Sequence, residues 1–192
     1  MIWPILNPQQ NAGLKELIAG QASDRVIAVI GGAMLDNSLR YALQDRLRPK
    51  SGKTDINDKL FRVGGALGNA VPKIDLAYQL YMFEKSARNT MYGISEIRNR
   101  FAHNLSENFD SSDEKMKEYI EKLSLHLGIT CYPMPLGKQE PEYEIEPTNT
   151  PRDKFIVNLK LALFILMRDQ NKHYPWSNVP MPEAKSQEPP PA

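Results

Sequence analysis

The sequence predicts an all-α protein folded as a single-domain helical bundle. Apolar residues recur at helical spacing along Ser23 to Leu47 and again along Glu84 to Asn104. Helix start and stop signals bracket several such stretches, with serine or threonine ahead and glycine behind. The 192 residues, 41% hydrophobic and 24% charged, suffice for one ordinary domain with its own core. The expected helical domain covers residues 1–174 and includes a proline-rich arm. From Pro175 onward Pro, Glu, Gln, Ser and Ala predominate, so residues 175–192 are expected to be a disordered tail.

In chain order, Asn11 to Ala19 is expected to form a short helix. Ser23 caps the first strong one, and Asp24 suits its positive end. Its stripe is Val26, Ile30, Met34, Leu35, Leu39, Ala42, Leu43 and Leu47. Gly31-Gly32 in its middle costs roughly 1 kcal/mol per glycine relative to alanine. That cost points to another helix approaching closely. Arg48 to Gly52 breaks the pattern, a short helix covers Ile56 to Val63, and Gly64 to Asn69 is a loop. Pro72 opens a helix to about Phe83, since proline fits a first turn. Glu84 to Asn104 follows with Ala87, Met91, Ile94, Ile97 and Phe101 as its stripe. Ser111 or Ser112 caps a helix to about Leu127, ended by Gly128. Residues 129–149 are proline-rich, a short hairpin or extended arm. Thr150-Pro151-Arg152-Asp153 then starts a last helix to about Lys172.

The net charge of +1 gives no global pull towards nucleic acid. Arg40 to Arg62 is net basic and Glu107 to Glu146 net acidic, so a nucleic-acid surface would lie on the former or on Arg88, Arg98 and Arg100. Binding there is expected to be weak and non-specific. One cysteine, Cys131, excludes an internal disulfide and fits a reducing, cytoplasmic setting. The first residues lack the basic start and long apolar run of a signal peptide. Phe155 to Met167 is about half a membrane span and contains Lys160, so it reads as a core helix and no membrane partner is expected. His126 and His173 lack partners at metal spacing, so neither a metal nor a cofactor is expected. Gly64 to Asn69 lacks the ending of a phosphate loop and reads as a turn. Glu140, Glu142, Glu144 and Glu146 alternate as on a solvated arm. Tyr78, Tyr81 and Tyr92 read as core or interface residues.

The residues richest in chemistry are Arg98, Asn99 and His103, near the end of a helix. Asn99 and His103 lie about 40° apart on a helix and Arg98 about 140° from His103, within the swing of a long side chain. An arginine for a phosphate and an imidazole for proton transfer are the parts of metal-independent RNA cleavage, where the ribose 2′-hydroxyl is the nucleophile. The competing reading is a structural ion network, with Arg98 or Arg100 paired to Asp36 or Asp75 across three helices. In that reading His103 is a helix-end histidine bonded to a carbonyl or carboxylate.

Arg98-Asn99-Arg100-Phe101-Ala102-His103 resembles the motif of the HEPN superfamily of small helical domains, many of them endoribonucleases that pair their motifs across a dimer. That resemblance implies an active triplet of Arg98, Asn99 and His103. A longer stretch, about residues 24–126, resembles the mannitol operon repressor family. It is carried by Asp24 to Asp36 (DRVIAVIGGAMLD), Gly65-Ala66-Leu67-Gly68, Lys73 to Tyr78 (KIDLAY) and Ile97 to His103. This implies a helical protein of transcriptional repression. No helix-turn-helix signature with a basic recognition helix is visible, so direct reading of DNA is not expected. The expectation is a homo-oligomeric regulator acting through protein partners, not an enzyme. A HEPN-type endoribonuclease is the alternative, and an antitoxin-like or scaffold partner of another enzyme a third.

Overall fold

The computed structural model describes residues 22–47, 56–126 and 149–170. Among these are six helices and no strand, so the fold is all-α. They are α1 (Asp24–Arg46), α2 (Ile56–Phe61), α3 (Ala70–Gln79), α4 (Lys85–His103), α5 (Glu114–Glu121) and α6 (Pro151–Gln170). The expected helix at Asn11 to Ala19, the break at 48–52, the arm at 129–149 and the tail at 175–192 lie outside the described residues, as do Cys131 and His173.

Helix α1 is the hub of the bundle, packing on α3, α4 and α6. Ser23 Oγ accepts the Val26 N–H at its start, as a cap should. The glycine pair explains how two neighbours fit. A Cβ on Gly31 would meet Leu159 of α6 at 2.5 Å, and one on Gly32 would meet the Arg98 stem of α4 at 2.4 Å. Each glycine thus admits a different helix. Helix α6 runs parallel to α1: Arg152 binds Asp24 at 2.7 Å at one level, and Leu159 meets Gly31 further along. Helix α4 runs antiparallel, its last carbonyls receiving the Arg25 guanidinium: Nη1 to Asn104 O at 3.0 Å, Nη2 to Ala102 O at 3.2 Å. The core lies between these helices and includes Leu35, Leu39 and Leu43 of α1 and Met91, Ile94, Ile97 and Phe101 of α4. Phe101, Phe109 and Phe155 pack with tilted rings, successive centroids 4.9 and 5.1 Å apart.

The apolar stripe expected on α1 is partly redistributed. Ile27 and Ala28 are buried in it, while Val26 and Ile30 are 41% and 44% exposed. By length and composition Asp24–Gln44 is apolar enough to cross a membrane, but half of it is buried in the bundle, which is how a core helix uses such a sequence.

Helix boundaries shift for local reasons. Helix α3 begins at Ala70, so Pro72 sits third in its first turn, where a missing N–H costs nothing. It ends at Gln79, four residues before the expected stop. Tyr81 adopts a left-handed backbone, φ 55°. Met82 N bonds Ala77 O and Tyr81 N bonds Tyr78 O, the two-bond helix stop that glycine usually makes. Helix α5 is capped by Asp113, not by Ser111 or Ser112: Asp113 Oδ1 accepts from Lys115 N and Met116 N. It stops at Glu121 because buried Thr90 takes over the chain beyond, donating to Lys122 O and accepting from Ser124 N. Thr150 and Asp153 cap α6 reciprocally, each side chain bonding the other's N–H.

Candidate functional site

Arg98, Asn99 and His103 share the last two turns of α4, on the surface of the bundle. Arg98 and His103 are exposed and Asn99 is half-buried. The stem of Arg98 lies against the bare backbone of Gly32, and its Nη1 donates to Asn99 Oδ1 at 3.0 Å. Asn99 therefore steadies the guanidinium without neutralising it. The carbonyls on both sides of His103 are held by Arg25. The His103 ring itself makes no hydrogen bond among the described residues, against the expectation of a bonded helix-end histidine.

The expected ion network does not form: neither Asp36 nor Asp75 pairs with Arg98 or Arg100, and separate pairs with other residues stand in its place. Asp36 pairs with Lys73 at 2.6 Å, not with an arginine, and Lys73 is only 2% exposed. Asp75 binds Arg88 and the Tyr92 hydroxyl. These two hold its carboxyl below the usual carboxylate range, Tyr92 more than Arg88. Burial, with the Asp75 hydrogen bond, pushes the Tyr92 phenol up. Arg88 also lies over the rings of Tyr78 and Tyr92, at 4.9 and 5.2 Å. Arg100 pairs with Glu107 at 3.0 Å and Asp113 at 3.1 Å. Burial alone would lower the Arg100 pKa, but those two carboxylates outweigh it and raise it. Arg98 takes no part in any ion pair among the described residues. Phase around the helix explains this: Arg98 emerges at the α1–α4 seam, where glycine leaves only backbone beneath it.

Of Arg88, Arg98 and Arg100, Arg98 alone is unneutralised among the described residues. The basic segment from Arg40 to Arg62 is described in part. Arg40 lies over the Phe61 ring at 5.8 Å, and Lys59 and Arg62 are exposed. The Gly64 to Asn69 loop spends its donors on itself: Gly65 N bonds Arg62 O, Leu67 N bonds Leu60 O and Gly68 N bonds Gly65 O. Those three N–H groups are not available to a phosphate. His126 is occupied too, its Nδ1 lying 3.0 Å from the buried Asn158 amide. Among the described residues no three His, Cys, Asp or Glu side chains come together as a metal site would need.

Sequence reasoning did not name Lys73, Arg88 or Glu107 as the partners of these charges. The four-residue spacing of Arg88 and Tyr92 on one helix face was the available signal for one of them. Neither burial of Lys73 nor the return of Glu107 onto α4 has a local signature. No family model, curated protein or solved structure matches this chain.

Proposed function

We propose that the protein is a helical regulatory protein of the kind its resemblance to mannitol operon repressors implies, acting through protein contacts and first of all through a second copy of itself. The observation that supports this is the outer face of α1. Val26, Ile30 and Tyr41 are 41%, 44% and 59% exposed. They fall within about 60° of one another around the helix, with exposed Ala33 beside them and exposed Asn37 between Ile30 and Tyr41. Apolar side chains exposed along one helix face favour an interaction site, and twofold pairing is the commonest way for a soluble chain to cover its own. Light scattering is expected to find a dimer at micromolar concentration; a monomer there and above removes the reading. A shift assay at physiological salt is expected to find no strong preference among DNA duplexes. Tight binding to one duplex would make the protein a direct repressor instead.

The freedom of Arg98 favours a second reading, a HEPN-type metal-independent endoribonuclease. In it Arg98, steadied by Asn99, holds the scissile phosphate and His103 moves the proton. RNA cleavage in EDTA that disappears in His103→Ala, with unchanged melting, would establish it. The regulatory reading expects no cleavage by the wild type.

A further inference from the structure

A cleft of about 530 Å³ lies between α4 and α5, on a different face of α4 from Arg98. Its size is that of a small-molecule site. The two helices approach closely at Gly93, where a Cβ would meet Tyr119 O at 2.9 Å. Side chains on either side of that contact form the walls: Asn89, Tyr92 and Glu96 from α4, Lys115, Glu118 and Tyr119 from α5, and Lys122 just beyond it.

Much of this lining is held in place. The Tyr92 hydroxyl is bound by Asp75 and its ring backs onto Arg88. Lys122 is cancelled by Glu118 at 2.8 Å and lies over the Tyr119 ring at 5.1 Å. Two charges remain. Half-buried Glu96 and exposed Lys115 make no ion pair among the described residues, with each other included. The cleft thus offers one uncancelled carboxylate, one uncancelled ammonium and two aromatic rings. A polyanion would meet Glu96 as well as Lys115, and a simple cation would meet the reverse. A ligand carrying both charges satisfies both groups.

We propose that this cleft binds a small zwitterion, a free amino acid or dipeptide with an aromatic or apolar side chain. Its ammonium is received by Glu96, its carboxylate by Lys115, and its side chain by the rings of Tyr92 and Tyr119. Charge-assisted hydrogen bonds supply the recognition. Because the cleft is open, affinity is modest, and the site stands whether or not the protein is a regulator.

The test is titration of the full chain, followed by amide NMR shifts, with L-phenylalanine, the dipeptide Ala-Phe, N-acetyl-L-phenylalanine and L-phenylalaninamide. Saturable shifts at residues of α4 and α5 around the cleft are expected with phenylalanine, Ala-Phe or both, and which of the two binds tighter identifies the source. The acetylated acid and the amide, each lacking one charge, should bind roughly ten- to a hundredfold more weakly. Glu96→Gln and Lys115→Gln are surface changes, expected to melt like wild type and to weaken the zwitterion by a similar factor. Absence of saturation by either zwitterion overturns the proposal. So does equal binding of the acetylated acid, or unchanged affinity in both variants.

Discussion

Arg98 and Asp36 have opposite relations to the fold. Arg98 is exposed, bonded only to its neighbour Asn99, and touches the bundle through its stem on Gly32. Asp36 neutralises a lysine that is almost wholly buried. Arg98→Ala is therefore expected to cost about 1 kcal/mol or less, as surface changes do. Asp36→Ala leaves the Lys73 ammonium unpaired inside the protein and is expected to cost roughly 3 kcal/mol, the low end for breaking a buried pair because Asp36 is itself partly hydrated. Denaturant melts of the two variants check this; equal losses would return Arg98 to the framework. His126 gives a pH prediction. Burial holds its imidazole below the ordinary value, helped by the Lys154 charge, and the Asn158 amide and the Leu123 carbonyl oppose this only in part. Well above about pH 6.5 the ring is neutral in folded and unfolded chains alike and contributes no pH dependence. Below that, the unfolded chain takes up the proton more readily, so stability falls with pH. The Tm of wild type should drop as pH falls below about 6.5, and less steeply in His126→Gln. Parallel curves would contradict the assignment.

At the scale of elements, what the sequence makes legible is what neighbouring residues decide. Ser23 and Thr150 cap helices where expected, and the Gly31-Gly32 pair marks close approach, here of two helices instead of one. The break after Gln79 has no such mark, because Tyr81 stands where glycine would announce it. A non-glycine residue in that region costs on the order of 1 kcal/mol, and Tyr81 is 95% exposed, so it recovers little by packing. Tyr81→Gly is accordingly expected to raise stability by about 0.5–1 kcal/mol. A thermal melt that shows a loss would mean that the ring makes contacts of its own. The ion partners were illegible for another reason. Asp36 could be recognised as a charge on an apolar helix, but whether Lys73, Arg98 or Arg100 meets it depends on how α3 and α4 are rotated against α1. The cleft between α4 and α5 is likewise a product of packing at Gly93, and its lining residues read singly as ordinary surface.

At the scale of the whole molecule, the all-α class followed from periodicity and caps, whereas the outward face of α1 did not. Val26 and Ile30 fit an apolar stripe as well as Ile27 and Ala28 do, and only the placement of α4 and α6 leaves them outside. That outward face carries the functional reading, so its removal is the most direct test. In Val26→Glu/Ile30→Glu, two carboxylates replace exposed apolar side chains, with little expected cost to a folded single chain. Buried against a second copy, the same carboxylates would each be desolvated without a partner. The decisive measurement is light scattering of this variant beside wild type, with thermal melting as the control for folding. The account predicts a dimeric wild type and a folded, monomeric variant. A variant that remains dimeric with unchanged melting would contradict it.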